Sequence, residues 1–251
     1  ASSAHWYERV ARYLAAGHRI IAPDQRGHGQ TSQASTGYDW ETLTSDLIGL
    51  LDSLGLDLVS VIGHSWGGHV ASNLAARHPH RVNSLIMIDG GFQDGHLLPD
   101  PTEISFRERF RPRDVSGGKE EFLTRLKEQL ANCWGNDLEK IVLSMVYENE
   151  KGLMEDILRP SQHSQILTSM WNEPPSTVIS RVNCPMLIVP AGPKPERAHT
   201  EFSRMREVML GAVVNVAKDV QVEWVLDTIH DIGYDKPEEL ADIIDHFLDG
   251  K

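Results

Sequence analysis

The segment Gly63-His64-Ser65-Trp66-Gly67-Gly68 follows the apolar run Val59-Ser60-Val61-Ile62 and opens a helix-like stretch from His69 to Arg77. A serine is therefore expected where a strand turns sharply into a helix. Glycines two positions either side of Ser65 permit that turn, and the unpaired N–H groups at the start of the new helix point towards its hydroxyl. A G-x-S-x-G match alone is common; the strand before it and the helix after it give it meaning. In that setting Ser65 reads as a nucleophile presented at the edge of a parallel sheet.

A nucleophilic serine needs a base. Trp224-Val225-Leu226-Asp227-Thr228-Ile229-His230 has the pattern of a strand ending in histidine, and Lys236-Pro237-Glu238-Glu239-Leu240 follows as a helix start continued by apolar spacing from Ala241 to Leu248. The pattern places His230 on a strand-to-helix loop, on the same sheet edge as Ser65, where it could take up the serine proton. Serine first and histidine last is the order expected of such a site.

With these two elements the chain resembles the α/β-hydrolase superfamily, in particular its single-domain esterase, lipase, haloperoxidase and epoxide-hydrolase groups. Ile20-Ile21-Ala22-Pro23-Asp24-Gln25-Arg26-Gly27-His28-Gly29-Gln30-Thr31-Ser32 looks like the strand and turn that precede the elbow in those groups. Its charged residues read as packing groups of the loop. The resemblance implies a mostly parallel sheet flanked by helices. It also implies a core formed by residues 1–91 and 181–251, with a helical cap inserted at 92–180. In that inserted stretch the strand–helix rhythm stops, and helical segments such as Lys119 to Leu130 and Leu138 to Tyr147 are broken by Gly117-Gly118, Gly135-Asn136, Lys151-Gly152 and Pro174-Pro175.

The third catalytic group departs from the family pattern. Most relatives carry an aspartate in a G-x-x-D turn after the post-cap strand, but here Met186-Leu187-Ile188-Val189-Pro190 runs into Ala191-Gly192-Pro193-Lys194-Pro195-Glu196. Either Glu196, one residue past the expected position, or Asp89, at the end of Ser84-Leu85-Ile86-Met87-Ile88, could fix the tautomer of His230. Asp89 is favoured, because some members of the superfamily carry their acid there. One oxyanion donor is expected to be the backbone N–H of Trp66; the other comes in the family from an early loop that this sequence does not contain. Ala1 to Val10 already reads as the first helix. The sheet order of the family would leave a gap between the Ile20 and Val59 strands, so an N-terminal segment or a strand from another chain is expected to fill it.

Composition narrows the class. A net charge of −12, from 24 basic and 36 acidic residues, argues against nucleic acid and anionic membrane surfaces as partners. No apolar run approaches the roughly 18 residues of a membrane span. The two cysteines, Cys133 and Cys184, point to a reducing compartment, read as the cytoplasm. No H-E-x-x-H or paired C-x-x-C spacing suggests a metal.

The expected activity is hydrolysis of an ester, or related acyl bond, of a small and largely hydrophobic substrate through an acyl-enzyme. Ser65 attacks, His230 shuttles the proton, and no cofactor is required. Trp66, His64, Trp134, Met145 and Trp171 are the expected substrate contacts, although Met and Trp at helical spacing also serve simply to pack a cap. Carbon–carbon bond hydrolysis or cofactor-free oxygenation on the same Ser/His scaffold, and a non-catalytic binding protein, are the alternatives. Epoxide-hydrolase chemistry fits less well, because those relatives carry aspartate at the elbow. A homo-oligomer is one assembly compatible with the borrowed-strand expectation.

Overall fold

A computed structural model describes residues 2–112, 114–195 and 199–250. A short 3-10 turn, Ala4–Tyr7, leads into α1 (Glu8–Leu14), and α2 (Trp40–Ser53) precedes the first strand, β1 (Val59–His64). Then follow α3 (Trp66–Arg77), β2 (Val82–Ile88), α4 (Glu103–Arg109), α5 (Lys119–Gln129), α6 (Asn136–Leu143), β3 (Val146–Glu148), β4 (Met154–Asp156), α7 (Pro160–Asn172) and α8 (Pro175–Ile179). The chain closes with β5 (Met186–Val189), α9 (Glu201–Val214), β6 (Val220–Val222), α10 (Ile232–Asp235) and α11 (Pro237–Asp249).

The main sheet has the order β1-β2-β5-β6 with every pairing parallel, which demands a crossover between successive strands. Both faces are covered, and the period of two shows in the central strands. Leu85, Met87, Met186 and Ile188 pack with Val70 and Leu74 of α3, Leu43 of α2 and Met209 and Val213 of α9. Ile86, Ile88, Leu187 and Val189 pack on the other face with Val10 and Leu14 of α1 and Leu240, Ile244 and Phe247 of α11. Each such aliphatic side chain contributes about 1.5–3 kcal/mol of burial, so the middle of the sheet is the most firmly held part of the molecule. Local signals fix the helix ends: Asp39 caps α2 by accepting from Thr42 N at 2.9 Å, and Pro237 begins α11 with Glu238 and Glu239 in its first turn.

Residues 92–180 contribute α4 to α8 and the antiparallel β3–β4 pair, and none of the main-sheet strands. Two sequence expectations need correction in this region and the next. The stretch from Leu138 to Tyr147 is not one helix: α6 stops at Leu143, and Val146–Glu148 pairs with Met154–Asp156. The strand expected at 224–230 is instead Val220–Val222. Its ladder to β5 lapses beside Pro190, which has no N–H to donate, and resumes only as the single bridge Ala191↔Val225.

The Ile20–Ala22 stretch forms no strand. It joins no ladder among the described residues, and Ile20 and Ile21 are each 39% exposed. β1 is consequently an edge of the sheet. The turn after that stretch is well held: Asp24 accepts from Ala4 N at 2.7 Å and from Gln30 N at 2.9 Å, and Arg26 forms a two-pronged pair with Asp46, each N–O distance being 2.8 Å.

Candidate active site

Ser65 sits where β1 ends and α3 begins, with φ 53° and ψ −121°. That is a left-handed conformation which a non-glycine residue adopts only when its surroundings impose it. The constraint is visible in the packing. Ser65 N continues the ladder by donating to Ile88 O at 2.9 Å, and a Cβ placed on Gly63 or Gly90 would come within 3.0 Å of the backbone of the elbow. Among the described residues the non-glycine positions with positive φ are Ser65, Asp89 and Asp227. All three lie at strand ends or loops of this one region, so backbone strain is concentrated here.

Asp89 terminates β2, the neighbour of β1, and Asp89 N extends the sheet by donating to Val189 O at 2.9 Å. Its side chain is 4% exposed, and both carboxylate oxygens are hydrogen-bonded. Oδ2 accepts from His230 Nδ1 at 2.6 Å, while Oδ1 accepts from Ala191 N at 2.9 Å and from the Arg206 guanidinium. Arg206, on α9, also donates to Ala191 O at 3.1 Å. Burial opposes the charge on Asp89, but the His230 hydrogen bond and charge, the Arg206 charge and the Ala191 N–H outweigh it and hold its pKa below the usual carboxylate value.

His230 arrives from the loop after β6. Thr228 N donates to Gly192 O at 3.2 Å, Thr228 Oγ1 to Asp235 at 2.8 Å, and Lys236 Nζ to Leu226 O at 2.8 Å, which ties the loop at both ends. Desolvation alone would depress the imidazole pKa, but the Asp89 hydrogen bond and charge reverse the sign and raise it. An ionised Asp89 requires Nδ1 to carry a proton, so the neutral ring presents the lone pair of Nε2. His64 supports the ring from behind. It stacks on Trp6 at 3.9 Å between centroids, lies 4.7 Å from the His230 ring, and its Nε2 is 3.0 Å from His230 O. Burial lowers the His64 pKa to about 4, so it stays neutral and its Nε2–H donates to that carbonyl.

Ser65, Asp89 and His230 line one cavity of about 720 Å³, together with Trp66, Phe110, Met170 and Met205. The Ser65 hydroxyl has no hydrogen-bond partner among the described residues, and the N–H of Trp66, first in α3, has none within the helix or outside it. Of the expected substrate contacts, Trp66 lines this cavity. The other expected contacts are corrected. His64 lies behind His230. Trp134 and Met145 pack into the core with α1 and α11, and Trp171 stacks on His96 at 4.1 Å. Glu196 lies outside the described residues.

Several wall residues carried no sequence signal. Arg206 and Arg109 are ordinary basic residues of α9 and α4, and His28, His69 and His163 reach the cavity only through the tertiary fold. Burial lowers the pKa of each of these three histidines to about 4, leaving them neutral.

Among the described residues no group of three or more His, Cys, Asp or Glu side chains is placed to hold a metal ion, and no helix is long and apolar enough to cross a membrane.

Residues 1–179 match the family model for the alpha/beta hydrolase fold. A soluble epoxide hydrolase of Corynebacterium sp. (strain C12) is 34% identical over 134 residues, covering 51% of this chain and 46% of that protein. A non-heme chloroperoxidase of Streptomyces lividans is 39% identical over 88 residues, covering 35% and 32%. The chain therefore spans less than half the length of these curated relatives. Among solved structures, E-2-(acetamidomethylene)succinate hydrolase superposes with a TM-score of 0.76 at 21% identity, covering 99% of this chain and 88% of that one. An esterase from Exiguobacterium antarcticum gives 0.70 at 19%, with the same coverages. The parallel sheet, the serine at its strained turn and the match of the family model over most of the sequence have one reading: this chain belongs to the alpha/beta hydrolase fold family.

Proposed function

We propose that the protein is a serine hydrolase that cleaves an ester or related acyl bond through an acyl-enzyme. The observation that carries this reading is the placement of Ser65 and Asp89 at the ends of two adjacent parallel strands, with His230 hydrogen-bonded to Asp89 and all three on one cavity. In this scheme the Nε2 lone pair of His230 takes the proton as Ser65 Oγ attacks the acyl carbon. The new imidazolium is stabilised by Asp89, and the Trp66 N–H donates to the developing oxyanion. The imidazolium then protonates the leaving alkoxide. Water activated by the same Nε2 attacks the acyl-serine, releasing the acid and restoring Ser65. Asp89 is the acid of the triad here, which frees the loop after β5 from that duty. Residues 92–180 act as a cap that supplies much of the cavity wall and so sets substrate choice. This chemistry asks for no cofactor.

A fluorophosphonate probe followed by mass spectrometry tests the reading. A covalent adduct on Ser65, absent in Ser65→Ala, is the expected result. A folded protein that stays unlabelled overturns the reading and leaves a binding protein on a hydrolase scaffold.

A further inference from the structure

The wall of the cavity is charged differently from the rest of the molecule. The chain has 36 acidic and 24 basic residues, yet the cavity is lined by Arg109, Arg111, Lys194 and Arg206 against a single carboxylate, Asp89. Arg206 and Asp89 neutralise one another. Arg109, Arg111 and Lys194 line the cavity and form no ion pair with another described residue, so the described wall carries a positive excess. Two of the cationic groups also converge. The guanidinium of Arg109 lies 4.8 Å and that of Arg206 5.8 Å from the centroid of the Phe202 ring, which is 50% exposed. The ring stabilises each cation through its face and so holds Arg109 at the cavity wall beside the Arg206–Asp89 pair. His28, His69 and His163 do not change this balance, because burial keeps them neutral. Other parts of the wall are apolar, with Ile166, Met170 and Met205.

We propose that the substrate is an ester carrying a negative charge remote from the bond that is cleaved, with a carboxylate received by Arg109, Arg111 and Lys194 and an apolar linker reaching from them to Ser65. Guanidinium forks match a carboxylate with two parallel hydrogen bonds, and Lys194 adds a point charge. This inference rests on the serine-hydrolase reading and replaces a largely hydrophobic substrate with an amphipathic one. It also gives the excess of basic groups a role in drawing such a substrate into an otherwise acidic protein.

The test compares mono-p-nitrophenyl glutarate with its methyl ester, which has the same acyl linker and no charge. The half-ester is expected to have kcat/KM at least about tenfold higher, the size of effect that a few partly exposed ion pairs supply, and the preference is expected to shrink as salt is added. In the combined variant Arg109→Gln, Arg111→Gln, Lys194→Gln the ratio of the two kcat/KM values is expected to collapse towards one. Equal or better turnover of the neutral ester by the wild type overturns the inference, and so does a variant that slows both esters by one common factor. If neither ester is hydrolysed and Ser65 is not labelled, the serine reading fails by itself. Calorimetry on Ser65→Ala then decides the charge inference: tighter binding of the half-ester supports it, and equal binding of both esters ends it.

Discussion

Replacement of Asp89 by asparagine keeps the shape of the side chain and inverts one hydrogen bond. In the wild type Oδ1 accepts from Ala191 N and from Arg206, and Oδ2 accepts from His230 Nδ1. Ala191 N and Arg206 are donors only, so the introduced amide must turn its oxygen to them and its NH2 group to the imidazole. His230 Nδ1 then has to accept, the ring proton moves to Nε2, and the atom required to receive the serine proton already holds one. The loss expected for the wrong tautomer is about 10⁴-fold in kcat, equivalent to about 5 kcal/mol of transition-state stabilisation. The assay is kcat on an activated p-nitrophenyl ester well below the melting temperature, with a thermal melt to confirm folding. Turnover within tenfold of the wild type, in a folded variant, would refute the tautomer argument and reduce Asp89 to a residue that orders the Gly90-Gly91 turn.

Three further outcomes follow from the same geometry. His230 must be neutral to act as base, and its pKa is raised above the ordinary 6.5 by Asp89, so kcat/KM should fall as pH drops through a value above 6.5; residual Asp89→Asn activity, which loses the carboxylate, should show its acid limb at lower pH than the wild type. Removing the charge of Arg206 by Arg206→Gln takes away an influence that lowers the His230 pKa, so the limb should move upwards, and a profile that stays in place would show that Arg206 acts only as packing. Gly90→Ala puts a methyl group within 3.0 Å of the Ser65 backbone; with overpacking costing about 1–3 kcal/mol, the melting temperature and the fluorophosphonate labelling rate should both drop, and unchanged labelling would show that the elbow tolerates displacement.

The elbow was legible because its cause is local. Ser65, the strand before it and the helix after it are contiguous, and glycine is required at Gly63 by the close approach of the Gly67 backbone. Asp89 was legible only as one of two carboxylates, because choosing between them depends on where the loop after β5 runs. Ile20 and Ile21 read as a strand from their branched side chains, but a strand also needs a neighbour for its N–H and C=O groups, and no described residue offers one to this stretch. Cavity lining was the least legible. Met170 and Trp171 are adjacent on α7, yet Met170 faces the cavity and Trp171 turns away to stack on His96. A helix rotates about 100° per residue, and the residue types alone do not say which direction holds the cavity. The cationic wall was hidden for a related reason: Arg109 is far from Lys194 and Arg206 in the sequence, and only the tertiary fold brings them to one cavity.

Ser65 and Asp89 belong to a single β-α-β unit, β1, α3 and β2, whose two strands pair along their whole length. His230 belongs to a loop that is held by α10 and α11 against α1. The base thus comes from a different part of the chain than the nucleophile and the acid, and α11, packed on one face of the sheet near the end of the chain, is expected to open before the paired centre of the sheet. A partial opening that lifts the end of the chain would carry off the base and leave the nucleophile and acid in register, so that warming should switch off catalysis before the central sheet melts. Amide exchange would register this as early loss of protection in α11 while β2 remains closed. In an enzyme of this design, resistance to heat inactivation would be gained first by fastening its last helix, whose Leu240, Ile244 and Phe247 close one face of the core.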